Sequence, residues 1–249
     1  MSAVHRLPWL ASIIGGLLLW EFAALGVSTL VLPPPSLVLV KLAEIVSGGV
    51  LLTALAGSLT SLAIGFALAV AVGFPLGFAL GRSRRLAVAA EPVINAIYSI
   101  PPVATVPFLI IWFGLFLQAR VALIFLMALF EIVITLAAGA RTVEPRLIDA
   151  ARAFGATRWQ VTRKVVIPAT LPFAFTALRI GFVRALNGMI TAELLLAAAN
   201  IGALMKESVT RFDSAGLLAL VLLLGLIGLA VQEGLKALEA RLLPWHIRQ

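Results

Sequence analysis

Several charged or polar residues stand inside otherwise apolar stretches of this chain, among them Glu21, Glu131, Arg179, Arg184, Asn187 and Glu193. Placing one charge at mid-membrane depth costs at least ~2.5–3.5 kcal/mol, so each needs a partner or a water-filled cavity. Glu21 and Arg179 read as bundle-internal pairs or helix locks. Glu131, Arg184, Asn187 and Glu193 read as candidates for a solute path. Arg184 and Asn187 are three apart on one helix face, so they can meet one solute group together. An anionic head suits Arg184, whereas Glu131 and Glu193 oppose a bare anion unless they pair with arginines. This is chemistry of recognition. For bond making the chain offers little: His5 and His246 lie at the termini, cysteine is absent, and no metal-ligand cluster or nucleophile–base set occurs. No GxxxxGK[ST] loop is present either, so ATP has no cradle of that kind. Neither a catalytic residue nor a metal ligand is expected.

Composition names the elements that must hold these residues. The 249 residues are 62% hydrophobic and 12% charged, whereas soluble domains run closer to half apolar and a quarter charged. Apolar windows fall at roughly 9–31, 53–80, 87–113, 119–140, 165–192 and 215–236. Each is long enough to span a bilayer, and spanning segments satisfy their backbone internally, which predicts about six helices. Barrel strands would alternate in polarity, and these windows do not. Arg6 and the following "LASIIGGLLLW" resemble a signal peptide, but the apolar run continues to Leu32 with no A-x-A-like site, so the first span is read as uncleaved. The net charge of +8 is spread along loop edges and not interleaved with aromatics, which speaks against nucleic acid.

With the N-terminus inside, thirteen of the nineteen Lys and Arg fall in inner segments and four in outer ones: Lys41, Arg120, Lys206 and Arg211. That bias predicts both termini in the cytoplasm. Gly73, Gly77 and Gly81 repeat every four residues in the second span, a spacing that lets a neighbouring helix come close. The third span contains "SIPPVATVP", where Pro101, Pro102 and Pro107 remove donors and disfavour helix before them. A bent or broken helix follows, and with it Tyr98, Pro101 and Pro102 join the candidate path, because such breaks are tolerated where protein or water meets the freed carbonyls. The stretch "LLLAAANIGALMKESVTRFD" before the last span is apolar in its first half but too short to cross. It is expected as a short interfacial or re-entrant helix.

One inner segment is different. "LIDAARAFGATRWQVTRKVVIP", from Leu147, is basic and amphipathic. Leu147, Ala150, Ala151 and Phe154 recur at helical spacing. Gly155 is placed to end that helix, and Thr157 to cap a second one running to Val165. Pro168 then sits near the start of the fifth span, where a missing donor is tolerated. Two short helices joined at a glycine are too polar to insert in lipid and too short for a core of their own. Such a loop either rests on the membrane surface or docks a cytoplasmic partner.

The segment resembles the "EAA" loop of ATP-binding-cassette importer permeases: E-A-A, three residues, Gly, nine residues, then I-x-L-P. Here Asp149-Ala150-Ala151, Gly155 and Val165-Val166-Ile167-Pro168 keep every spacing. The likeness extends over nearly the whole chain and is greatest to the nitrate/sulfonate/taurine-type group, through "LWE", "LPPPS", "EPVINAIYSIPPVATVPFLIIWFG", "PATLPFAFTALRIGF" and "LLPW". Two departures are Glu131, where the group favours proline, and Ile201-Gly202-Ala203-Leu204, where it favours Gly-Leu-Gly.

The resemblance implies an all-α permease over residues 1–249, of the type I importer fold, with a cytoplasmic coupling loop at about 141–165. It implies that Asp149, Ala150, Ala151, Arg152, Phe154, Gly155, Arg158 and Trp159 meet a separate ATPase, which holds ATP and Mg while this chain binds no cofactor. It further implies two ATPase copies, a second permease copy, an extracytoplasmic solute-binding protein, surrounding lipid, and a small anionic solute crossing a bacterial inner membrane by alternating access. The competing reading is an ion-gradient-driven carrier or channel with a surface loop. Such carriers often carry inverted repeats, and spans one to three show no convincing likeness to spans four to six.

Overall fold

A computed structural model describes residues 7–196 and 199–244, so His5 and His246 lie outside the described residues. The described chain is helical, in the order α1 (Leu7–Ala24), α2 (Pro35–Ser47), α3 (Val50–Arg82), α4 (Arg84–Tyr98), α5 (Val106–Phe113), α6 (Leu117–Arg141), α7 (Pro145–Ala153), α8 (Arg158–Val161), α9 (Ile167–Leu195), α10 (Asn200–Thr210) and α11 (Ser214–Leu242). Among the described residues, four helical segments are long and apolar enough to cross a membrane, or five if the bent pair α4–α5 is one span, where the apolar windows predict about six; the first window yields only a shorter apolar helix, Ala11–Ala24. The chain divides into two compact units, residues 1–57 with 198–227, and residues 58–197 with 228–249.

In the first unit, α1 stops at Ala24, short of the predicted end near residue 31. Turns replace its last residues before Pro33, Pro34 and Pro35, each of which disfavours helix in the residue before it. The same prolines start α2, a helix that periodicity alone did not single out, with Pro35 at its first turn. Glu21 ties the two together: its carboxylate accepts from the Ser36 backbone N–H at 3.1 Å and from Ser36 Oγ at 2.7 Å. A carboxylate on a helix N-terminus satisfies an orphan donor and complements the helix dipole. This is the helix lock expected of Glu21. The short helix expected before the last span is α10, but it spans the middle of that stretch, Asn200–Thr210, and α9 continues through Leu195 into its apolar start.

The second unit is organised around α6. Ile124 and Ile132 are fully buried. A Cβ added at Gly65 of α3 would stand 2.6 Å from Ile124, and one at Gly73 would stand 2.8 Å from Ile132. On the opposite side, a Cβ at Gly181 of α9 would meet Ile132 at 2.6 Å, and one at Gly188 the Ile124 backbone at 3.1 Å. Gly77 and Gly81 continue the close approach, toward Val133, Leu136, Ala137 and Ala140. The predicted packing of Gly73, Gly77 and Gly81 is thus directed at α6. Phe66 and Phe182 add an edge-to-face pair with centroids 5.6 Å apart, an arrangement that favours aromatic contact.

The third span is broken where its prolines predict. Helix α4 ends at Tyr98, a 3-10 turn covers Pro102–Thr105, and α5 leaves at 84° to α4.

Lipid tails are as apolar as the side chains, so close van der Waals packing is what holds helices together here. Replacing Gly73 by leucine is expected to lower the unfolding temperature of the detergent-solubilised protein, and Ile132→Ala to cost of order 2–5 kcal/mol. Gly225→Ala, where nothing lies within 4 Å of an added Cβ, should be neutral or slightly stabilising. Thermal unfolding followed by tryptophan fluorescence distinguishes these outcomes.

Candidate functional site

Two places carry the residues singled out by sequence. The first is within the apolar part of the second unit. Arg184 of α9 and Glu131 of α6 form an ion pair, Nε to Oε1, at 2.7 Å. Tyr98, the last residue of α4, donates from its hydroxyl to the same Oε1 at 3.0 Å. The helix break beyond Tyr98 is what leaves this ring free to reach α6. These three residues and Pro102 line a cavity of about 270 Å³, walled by apolar side chains including Ile97, Ile100 and Phe130. Arg184 also borders a second cavity of about 490 Å³, lined by Arg179 and Asn187 of the same helix and by Gln232 and Lys236 of α11. Arg184 and Asn187 therefore share a face as their spacing predicts, and Arg184 stands between two cavities.

The other two path candidates are placed differently. Pro101 precedes the 3-10 turn without lining the first cavity. Glu193 is buried at 1% exposure and accepts from Ser58 Oγ at 2.8 Å. It lines neither of these cavities. Arg179 is a lock: its Nη1 lies 3.2 Å from Oε2 of Glu239 on α11, while its carbonyl accepts from Gln232 Nε2 at 3.4 Å. Glu239 was not among the residues found from sequence. It falls in the last turns of a helix outside the apolar windows, and only the antiparallel course of α9 and α11 brings it to Arg179.

The second place is the basic island. Helix α7 ends in a Schellman turn. The Gly155 N–H donates to the Arg152 carbonyl at 2.9 Å and the Ala156 N–H to the Ala151 carbonyl at 3.1 Å, the pair of bonds that defines this motif. It needs a left-handed residue, and Gly155 has φ +77°. The next helix begins with a capping box: Gln160 N–H donates to Thr157 Oγ1 at 3.3 Å, and Thr157 N–H to Gln160 Oε1 at 2.8 Å.

Two expectations about the island need correction. It does have a small core of its own: Val143, Ile148, Val161 and Val166 are buried together, against Phe78 of α3 and Ala151, Ala156 and Ala169. The inward residue of α7 is Ile148, not the Leu147 face. The second short helix also does not end before the fifth span. A π turn over Thr162–Val166, with the Ile167 N–H donating to the Thr162 carbonyl, joins α8 to α9 without a break, so the helical segment runs from Arg158 to Leu195. Pro168 lacks a donor and its ring crowds the carbonyl four residues back. A widened turn is one way a helix absorbs such a residue.

The outward face of the island is apolar and unpartnered among the described residues. Leu147 is half exposed, Ala150 is exposed, Trp159 is 67% exposed and Phe154 92% exposed. Asp149 and Arg152 flank them at 3.9 Å from one another.

An all-helical membrane protein with an ion pair between two spans beside a small cavity, and an exposed apolar face outside the spans, fits the class of transport permeases. Comparison with known proteins gives the family. Residues 69–244 match the binding-protein-dependent transport system inner membrane component, and the chain belongs to that family. It is 34% identical over 233 residues to the taurine transport system permease protein TauC of Escherichia coli (strain K12), covering 91% of this chain and 85% of that one. It is 35% identical over 221 residues to the riboflavin transport system permease protein RibX of Chloroflexus aurantiacus, covering 89% and 82%. Among solved structures, an inward-facing form of the MetNI methionine ABC transporter superposes with a TM-score of 0.64 at 21% identity, over 73% of this chain and 91% of that one. The fold is that of ABC importer permeases. The chain is a permease component of an ABC importer, neither an enzyme nor a gradient-driven carrier.

The Glu131–Arg184 pair is expected to couple energetically. A double-mutant cycle of Glu131→Gln and Arg184→Gln, read by thermal unfolding, should give an interaction of about 1–2 kcal/mol. An additive cycle would mean that the two side chains are held independently.

Proposed function

We propose that two copies of this chain enclose the path of an inner-membrane importer for a small, anionic solute. A solute-binding protein delivers the solute from outside, and two ATPase subunits bind the island from the cytoplasm. Both termini are cytoplasmic, following the Lys and Arg bias. The whole of residues 1–249 acts as one permease domain with its coupling loop at about 141–165, in contact with surrounding lipid. ATP and Mg are held by the ATPase, and no cofactor by this chain.

One observation carries the coupling: Phe154 and Trp159 are large, apolar and exposed, on a loop stiffened by a Schellman turn, a capping box and a buried cluster. Isolated exposed apolar residues are ordinary, but a rigid apolar face flanked by charges fits a protein partner. The ATPase groove receives Leu147, Ala150 and Phe154, with Ala151 and Gly155 holding the turn and Asp149, Arg152 and Arg158 fixing orientation at the rim. The π turn gives the island a continuous helical connection to α9, and α9 carries Arg184. Motion of the docked island is thereby transmitted to the path. Nucleotide drives reorientation only insofar as it binds the two orientations with different affinity.

The path runs past Tyr98, Pro102, Glu131, Arg184 and Asn187, the residues that border the two cavities. An anionic group meets Arg184. Relatives at similar identity are named for taurine and for riboflavin, so overall similarity leaves the solute to the chemistry of the site.

Replacing Gly155 by leucine should uncouple ATP hydrolysis from solute uptake in proteoliposomes holding the complete transporter, by tenfold or more, while the spans stay folded. Phe154→Ala with Trp159→Ala should reduce co-purification of the ATPase. Normal uptake and normal ATPase recovery in these variants would remove the island from coupling. Normal uptake by Glu131→Gln would remove Glu131 from the path.

A further inference from the structure

We infer that the corner between α3 and α4 binds the phosphodiester headgroup of an anionic phospholipid through Arg82, Arg84 and Arg85. The site is separate from the solute path and does not rest on that reading.

Arg82, Arg84 and Arg85 are all exposed. Arg146, Arg152 and Lys236 are exposed too, but each has a carboxylate within 3.9 Å. The three arginines of the corner have no ion pair and no side-chain hydrogen bond among the described residues. Their places on the helices sharpen the contrast. Arg82 lies in the last turn of α3, where the helix dipole favours a cation. Arg84 and Arg85 are the first two residues of α4, where the dipole opposes one. No acidic residue stands in that first turn to offset them. Ser83 caps the helix by accepting from the Leu86 N–H at 3.3 Å, but it brings no charge. The inside bias of Lys and Arg accounts for cations at this end of the spans. It does not account for two of them at the positive end of a helix with no counter-charge. A bound anion answers both the missing partners and the opposed dipole.

The surroundings select the carrier of that anion. Arg84 and Arg85 line a cleft of about 590 Å³ whose other walls are Val88 and Ala89. Val88 is 66% exposed, and Leu86 is 52% exposed. Cations beside exposed apolar side chains match the boundary between headgroups and acyl chains. The guanidinium fork suits two phosphate oxygens at once. A zwitterionic headgroup brings its own cation toward the arginines, so an anionic headgroup is preferred. Free phosphate would satisfy the arginines but leave Leu86 and Val88 in water. The corner also adjoins the island. Gly81, next to Arg82, closes on Ala137 and Ala140 near the end of α6, and Phe78, one turn earlier, packs against the island's buried cluster. An acidic surface of the ATPase is therefore the rival occupant.

The test uses the full chain in mixed micelles holding equal amounts of phosphatidylglycerol and phosphatidylcholine with matched chains. Native mass spectrometry reads which lipid stays bound. The wild type is expected to retain phosphatidylglycerol at least ~10-fold over phosphatidylcholine, and the preference to shrink as salt rises. Arg82→Gln, Arg84→Gln and Arg85→Gln together should bring the two lipids to within about threefold. Arg146→Gln, which removes an exposed arginine already paired with Glu144, should keep the wild-type preference. Millimolar inorganic phosphate should not displace the lipid. Equal retention of the two lipids by the wild type overturns the site, and so does an undiminished preference in the triple variant. Displacement by phosphate overturns the lipid in favour of a free anion. Loss of ATPase co-purification by the triple variant, with its lipid preference unchanged, overturns it in favour of the ATPase. The wild-type comparison needs no variant, so misfolding of the triple variant cannot hide the answer.

Discussion

Two isoleucines set the geometry on which the second unit depends. Ile124 and Ile132, eight residues apart on α6, are each held between a glycine of α3 and a glycine of α9. The residues that would otherwise keep these backbones apart have no side chain there. Because lipid offers no hydrophobic drive for helix association, the contact must come from close packing, and a dense interior transmits small displacements well. Glu131 immediately precedes Ile132, so the residue that anchors α6 also fixes where its carboxylate emerges.

The polar groups of the apolar region follow a division of labour. Glu21 caps α2, Glu239 holds Arg179, and Glu193 is enclosed against Ser58. Each of these three carboxylates is thus matched to a donor or to an opposite charge. The Glu131–Arg184 pair is the one that also borders open volume on two sides. Tyr98, which donates to Glu131, is the last residue of α4, immediately before the break.

Much of this was legible from the residues. The order of the spans follows from apolar run length, though their number does not, since four or five helices and not six are long and apolar enough to cross; the break follows from Pro101 and Pro102, and the left-handed turn follows from Gly155. The Asp149-Ala150-Ala151 and Gly155 spacing led to the family that the comparisons show. Most of what was hidden depends on pairs distant in sequence. The length of α1 was overestimated because an apolar composition persists to Leu32 while the prolines beyond it govern the backbone. The small core of the island was missed because Phe78, Ile148 and Val166 come from three separate segments. The partner of Arg179 lies sixty residues away, and no local periodicity announces it.

The π turn between α8 and α9 has a consequence for chain length. A π turn is an α turn holding one surplus residue, and each residue of an α-helix advances about 100° around the axis. The island's side chains therefore stand about one residue's rotation away from where a projection from α9 alone would put them. The surplus residue is also a reserve. A chain one residue shorter between Thr162 and Val166 could close the turn to ordinary α geometry and keep both flanking helices, at the cost of rotating the island's exposed apolar face around the axis. Length in this short segment is thus constrained by the azimuth of a surface, where most loop lengths are constrained only by reach.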